Sequence, residues 1–335
     1  MLAFAIALVN CGNDTHTPAL SSQFAFIQQA APTGTHMSAA QRHFQMEHQA
    51  FQRSPRLRQG LGIKPWVAGI QNGTDSIVLM NNDGSGQTTL LSQAGWFEAV
   101  QESVDGKKGV ALAEDSNHHY QVFYGDLTDK NNPVGTQLTS DTENRWSPQL
   151  SFDGKQVIFV KYVTNGETGT GLATIMSTAG GTETVISTSF WVSTPSFTPD
   201  GKILFEQEDN DTINIMNADG TGNKALTGDA NHTYYDEFPS MSPDGKTIVF
   251  ARYPADSTYK EDIWKMNADG TNATQLTTDG MSWDPMFVNG KIVFISWRDS
   301  TSGEIQQVYS MNLDGSNQKR LSTTTAQEYF DNWNW

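Results

Sequence analysis

The chain contains one cysteine, Cys11, in 335 residues, so no disulfide can form within it and a structural cross-link is excluded. Long apolar runs are missing too. The run Leu2 to Val9 at the N-terminus is eight residues, well short of the ~20 that a membrane-crossing helix needs. Positive charge is scarce, with 21 Lys and Arg against 37 Asp and Glu, a net charge of −16. The imbalance is uneven: residues 1–63 carry +2, leaving −18 on the remainder. A surface this acidic repels phosphate backbones, which argues against nucleic acid as a partner. There is no Gly-x-Ser-x-Gly elbow, no phosphate loop and no dinucleotide fingerprint, so an attached serine hydrolase or a nucleotide enzyme has no sequence support. Hydrophobic content is low at 37%, while Gly, Asn, Asp, Ser and Thr are abundant, as in chains of short strands joined by polar turns.

What is present is periodic. An apolar strand followed by Asp-Gly or Asn-Gly and then Lys recurs with turns at Asp105, Asp153, Asp200, Asp244 and Asn289, in steps of 48, 47, 44 and 45 residues. A second turn, Asp-Gly-Thr or Asp-Gly-Ser, runs out of phase at Asp83, Asp219, Asp269 and Asp314, with a degraded copy at Ala179-Gly180-Gly181 and a looser one near Asn131 to Gly135. Four strands per repeat of this length is one propeller blade. Strand a, innermost, ends at the first turn, as in Pro148 to Phe152 and Pro239 to Pro243. Strand b has a Phe-centred core: Val157 to Val160, Ile203 to Phe205, Ile248 to Phe250, Ile292 to Phe294. Strand c leads to the second turn, and a short strand d ends in Leu-Thr or Leu-Ser at Leu138, Leu226, Leu276 and Leu321. Asp-Gly between strands a and b suits a two-residue hairpin with positive φ at both central positions.

Second turns count six blades and first turns five. Tyr329 to Trp335 has the length of a strand a with nothing to follow it, and the N-terminal blade lacks its own strand a. The expected fold is therefore an all-β, six-bladed propeller over 21–335 with four-stranded blades, its ring closed by the C-terminal strand completing the N-terminal blade. Strand b of that first blade is either Phe24 to Ile27, the preferred choice, or Trp66 to Ile70. The first makes 29–63, rich in Gln, His and Ala, a flexible insertion.

The strings SPDGK (Ser242 to Lys246), TPDGK (Thr198 to Lys202), IMNADGT (Ile215 to Thr221) and KMNADGT (Lys265 to Thr271) resemble the WD40-like PD40 repeats of TolB-like propellers. The resemblance covers about 65–335. Too few residues precede the repeats for the α/β domain that TolB carries, so it implies a TolB-like propeller without that domain. Members of this group range from binding modules to domains attached to peptidases and sugar-cleaving enzymes. Leu8-Val9-Asn10-Cys11 in turn resembles a bacterial lipobox, with Asn where the pattern wants Gly, Ala or Ser and no Lys or Arg ahead of the apolar run. Residues 1–20 are read as a signal and lipid anchor on Cys11, with an ordinary cleaved signal and a plain apolar N-terminus as alternatives. The resulting expectation is an exported, lipid-anchored, monomeric protein of the bacterial cell envelope facing the periplasm, touching membrane only through its anchor.

Strand direction puts the tight a–b and c–d turns on one face and the variable d–a and b–c loops on the other, which is the candidate binding face. Acids and aromatics recur where the inner strands begin. Glu98, Arg145, Trp146, Tyr235, Glu237, Trp283, Asp284, Asp331 and Trp333 are the candidate ligand-binding residues of an acidic, aromatic-walled channel mouth. Such a ring suits a cation, a basic peptide or a sugar stacked on aromatics. No catalytic residue is assigned and no cofactor is required, although a channel cation such as calcium would fit an acidic ring. The Asn-Ala-Asp-Gly-Thr turns lack the closing Glu of a calcium loop and read as structural. His118, His119 and His232 lie on the loop face, where Asp115 or Asp229 could join them around a metal, and read as exposed histidines. The leading expectation is a non-catalytic binding or scaffold propeller recognising an envelope protein or glycan. The alternative is a polysaccharide-cleaving lyase or glycosidase with an acidic or metal site at the same mouth.

Overall fold

The computed structural model describes residues 23–29, 75–81, 85, 88–93, 97–102, 108–114, 119–126, 134–165, 168–229, 231–255, 260–288, 290–299, 307–321 and 327–329. Among them every regular element is a strand, and no helix is long and apolar enough to cross a membrane. Cys11, Asp331, Trp333 and the expected insertion after Gln29 lie outside the described residues. The chain opens with β1 (Gln23–Gln29), β2 (Asp75–Asn81) and β3 (Thr88–Gln93). Four-stranded antiparallel blades follow in chain order. The first two are β4 (Phe97–Glu102), β5 (Lys108–Glu114), β6 (Tyr120–Asp126), β7 (Val134–Gln137), and β8 (Asn144–Leu150), β9 (Gln156–Asn165), β10 (Thr168–Ser177), β11 (Thr184–Val185). Next come β12 (Val192–Phe197), β13 (Ile203–Gln207), β14 (Thr212–Met216), β15 (Lys224–Ala225), and β16 (Tyr234–Met241), β17 (Thr247–Pro254), β18 (Asp262–Asn267), β19 (Thr274–Gln275). The last is β20 (Ser282–Val288), β21 (Lys291–Ser296), β22 (Gln307–Met311), β23 (Lys319–Arg320), and β24 (Gln327–Tyr329) ends the described chain.

The a–b turns are not the expected two-residue hairpins. At Asp153-Gly154, Asp200-Gly201 and Asp244-Gly245 only the glycine has positive φ, at 67°, 81° and 70°. The Gly245 N–H donates to the Ser242 carbonyl at 2.8 Å, which makes Ser242-Pro243-Asp244-Gly245 a four-residue β-turn. Proline fits its second position, and Gly its fourth, where the left-handed conformation rejoins the strand. The Asp244 carboxylate accepts from the Ser242 hydroxyl at 2.6 Å and from the Lys246 amide at 3.1 Å, which explains Ser or Thr two residues ahead of Asp.

The Leu-Thr endings extend strand d by one side chain. In the β12–β15 blade the Leu226 N–H donates to the Ile213 carbonyl at 2.8 Å, and the Thr227 Oγ1 accepts from the Ile213 N–H at 2.9 Å. The same pair of bonds joins Leu138-Thr139 to Val122, Ile186-Ser187 to Ala173 and Leu276-Thr277 to Ile263. The hydroxyl stands in for a backbone carbonyl, so strand c is satisfied after strand d has turned away.

Packing runs from blade to blade. The b strands β9, β13, β17 and β21 are buried on both faces: Ile158 shares a core with Phe197, Ile203 and Phe205 of the next blade, while Phe159 faces Val110, Leu112 and Val122 of the preceding one. Leu204 packs with Met241, Ile248 and Phe250, and Val249 with Phe287, Ile292 and Phe294. Burying each such side chain is worth about 1.5–3 kcal/mol. The c–d turns close against the neighbouring blade as well. A Cβ on Gly220 would lie 2.1 Å from the Ile186 carbonyl oxygen, one on Gly270 2.5 Å from that of Leu226, and one on Gly315 3.0 Å from that of Leu276.

The expected closed six-bladed ring is corrected. Five blades, from β4–β7 to β20–β23, pack in succession through four shared cores. The other strands form a sheet in the order β24-β1-β2-β3, in which Phe24 to Ile27 takes the place beside Ile77 to Met80. That sheet is held together by backbone pairing. Its contact with the β20–β23 blade is β22 beside β24. The cluster Met286, Val288, Val293, Ile295, Val308 and Leu321 lies in that blade. The physical reason lies at the join: among the described residues the pairs there are Ile27–Tyr329, Gln28–Glu328 and Gln29–Gln327, and polar residues dominate them.

Candidate functional site

Strands β8, β12, β16 and β20 each leave one edge unpaired, and each carries the same irregularity. Ser147, Thr194, Phe238 and Asp284 have φ of 50°, 52°, 54° and 54°, and each is followed by proline, Pro148, Pro195, Pro239 and Pro285. Pairing with strand b slips at each point. β4 slips at the same station, after Glu98, without a proline. A bulge bends the strand, and proline removes a donor from an edge that has no partner. A left-handed non-glycine residue before proline is sterically costly, and four in register mark the inner strands as locally strained.

The candidate residues lie around these bulges. Arg145 is fully buried, paired with Asp141 and Glu183, and Lys161 joins both acids. The Arg145 guanidinium and the Asp141 carboxyl lock each other in charged form: the Arg145 bond is the main cause holding Asp141 well below the usual carboxylate range. Trp146 packs on Tyr120 at 4.8 Å and joins the core between the first two packed blades. Tyr235 lies 4.9 Å from Tyr253, whose hydroxyl donates to Glu237 at 2.9 Å. Next to Glu237, Asp236 takes a bidentate pair from Arg252, whose guanidinium also lies over the rings of Tyr234, Phe250 and Trp264. Trp283 sits 4.5 Å from Trp297. Asp284 and Glu237 are 4% exposed, so neither carboxylate stands free in solvent at the mouth. The exposed part of this region includes Tyr234 and Met281, 45% and 40% exposed on adjoining blades, among polar loop residues such as Asp141, Asp229 and Thr233.

Sequence reasoning missed Glu206. It occupies the strand-b station that holds Leu112, Val160, Ala251 and Ile295 in the other four packed blades, opposite the residue before each bulge. The signal was legible as a carboxylate directly after Ile203-Leu204-Phe205. Burial pushes Glu206 well above the usual carboxylate range, with repulsion from Glu208, Glu237 and Asp211 adding to it. Burial likewise raises Glu208 to about 8, against a hydroxyl bond from Ser193 that lowers it. The Phe238 amide, at the bulge of the next blade, donates to Glu206. Among the described residues no three His, Cys, Asp or Glu converge to hold a metal ion. The Asp229 carboxylate is taken up inside its own loop by Asn231 and Thr233. The turn acids Asp219, Asp269 and Asp314 each accept a hydroxyl and an amide two residues on, which supports their structural reading.

The model of the PD40 family, the TolB β-propeller domain, matches residues 110–330, more than half of the chain. The chain belongs to this family. Over 78 residues this TolB-type propeller is 38% identical to the Tol-Pal system protein TolB of Rhizorhabdus wittichii, a stretch covering 22% of the chain and 17% of that relative. The match therefore spans about a sixth of the curated TolB. The crystal structure of TolB from Acinetobacter baumannii aligns over 92% of this propeller and 65% of its own chain, with a TM-score of 0.65 and 16% identity. An oligogalacturonate lyase in complex with manganese aligns over 73% of this propeller and 70% of its own chain, with a TM-score of 0.53 and 15% identity. Both structural likenesses are of fold alone.

Proposed function

We propose that this propeller is a non-catalytic binding module of the bacterial cell envelope that recognises a protein or glycan through its loop face and channel mouth. The observation that carries the reading is how the polar groups of the inner strands are used. Arg145, Asp236 and Glu237 are buried and bound to Asp141, Arg252 and Tyr253, while Tyr234 and Met281 remain exposed, Met281 next to the Trp283–Trp297 pair. Internally paired charges hold a surface rigid, and aromatic side chains supply contact area at low entropic cost. Family membership and the 38% identical stretch shared with a Tol-Pal system protein support an envelope setting. In this reading the module is a monomer, exported and held at the periplasmic side of a membrane by a lipid on Cys11.

The test uses the full chain, immobilised and offered detergent-solubilised envelope proteins and, separately, a glycan array. Retention of a specific partner should fall at least ~30-fold in Tyr234→Ala or Trp283→Ala, the effect of losing a contact worth about 2 kcal/mol. Undiminished retention in both variants would refute the assigned face. Turnover of acidic or neutral oligosaccharides by the purified protein would refute the non-catalytic reading in favour of a polysaccharide-cleaving enzyme. Mass spectrometry of the mature N-terminus decides whether Cys11 carries acyl chains.

A further inference from the structure

Two hydrogen bonds from β16 stitch the seam between the β12–β15 and β16–β19 blades at their inner edge. The Asp236 amide donates to the Asp211 carbonyl at 3.1 Å, and the Phe238 amide donates to the Glu206 carboxyl. Glu206, near the end of β13, and Glu208, in the turn that follows it, are 5% and 8% exposed. No Lys or Arg among the described residues forms an ion pair with either.

The groups facing the pair are acidic or neutral. Glu237 comes from β16, with the Tyr253 hydroxyl of β17 bound to it. Asp209 and Asp211 come from the turn after β13, and Ser193 comes from β12. β14 offers only Thr212 and Asn214. The nearby cations are committed elsewhere, Arg252 to Asp236 and Arg145, on the β8 strand packed against β12, to Asp141 and Glu183. Four other blades place an aliphatic residue where Glu206 stands, so the carboxyl is not required by the fold.

We propose that Glu206 and Glu208 form a proton-operated latch at this seam, closed while the pair holds a proton and loosened when both carboxyls are ionised beside Glu237. With a proton present, the buried pair carries at most one negative charge, and the Phe238 amide and Ser193 hydroxyl suffice to satisfy it. Without it, two carboxylates face a third in a buried site, and the relief available is to admit water by parting β16 from the turn Glu208 to Asp211. The raised carboxyls are protonated in the folded chain where an unfolded chain has ionised them near 4.5, so folding takes up protons. The stability they contribute is full below that value and is lost as pH rises towards about 8 and beyond.

Amide hydrogen exchange on the full chain tests this between pH 5.5 and 8.5, corrected for intrinsic rates. Protection of the Asp236 and Phe238 amides should fall about tenfold or more relative to Phe250 in the same blade, and Glu206→Gln/Glu208→Gln should abolish the fall. A flat wild-type profile, a fall spread equally over all blades, or the same fall in the double variant would each overturn the proposal. Should the double variant not fold, Glu208→Gln alone is melted beside wild type across the same range. A smaller drop in Tm from pH 5.5 to 8.5 supports the latch, and an unchanged drop refutes it.

Discussion

Gly180 and Gly220 occupy the same turn in successive blades, with φ of 85° and 82°, yet what surrounds them differs completely. A Cβ on Gly180 would meet nothing within 4 Å, whereas one on Gly220 would fall 2.1 Å from the Ile186 carbonyl oxygen of the preceding blade, far inside van der Waals contact. Gly180→Ala should therefore cost only the left-handed conformation, about 1–2 kcal/mol, less the ~0.5–1 kcal/mol recovered by stiffening the unfolded chain. Gly220→Ala bears the same term and must also push the two blades apart, which at the usual cost of overpacking adds about 1–3 kcal/mol. The expected order of destabilisation is Gly220→Ala, Gly270→Ala, Gly315→Ala, then Gly180→Ala, following the separations of 2.1, 2.5 and 3.0 Å and the open site. Urea unfolding followed by circular dichroism reads the differences at constant m. Equal losses at Gly180 and Gly220 would show that turn geometry alone selects glycine and that the seam does not depend on this contact.

Other outcomes follow from the same physical terms. Arg145→Ala strands Asp141 and Glu183 around a fully buried site and should cost about 3 kcal/mol in urea unfolding, while Lys161→Ala, at the partly exposed edge of the network, should cost about 1 kcal/mol or less. Thr227→Val keeps the shape of the side chain but leaves the Ile213 amide without its acceptor, for an expected loss of about 1–2 kcal/mol and faster exchange of that amide.

Much of the fold could be read from the sequence because turns and strand ends solve local problems with local residues. Ser-Pro-Asp-Gly closes a β-turn with groups three residues apart, and Leu-Thr completes a ladder with its own hydroxyl. Both recur wherever the hairpin does. The turn type was misjudged because Asp-Gly alone does not reveal that Asp keeps negative φ when Ser or Thr precedes it and accepts its amide partners. The packed blade number and the fate of the site residues depend on which faces meet, and that is a matter of distant contacts. Arg145 and Glu237 look like rim charges in sequence, and only their strand-b and loop partners show them to be buried. Glu206 was the opposite case, a carboxylate visible among aliphatics whose meaning required the alignment of five inner hairpins.

The glycine contact at the blade seam has a consequence for how such a chain can grow. The β12–β15 and β16–β19 blades each present a strand-d carbonyl on one side and a close-fitting turn on the other, so the two faces of such a blade are complementary to each other rather than to themselves. Units of that kind join head to tail without limit, and nothing within a single blade states how many there should be. A duplicated segment of about 45 residues would arrive already carrying both halves of its own docking contact. The number of blades is thus a property of curvature and of how the two ends of the chain meet, and it can change while every individual blade stays the same.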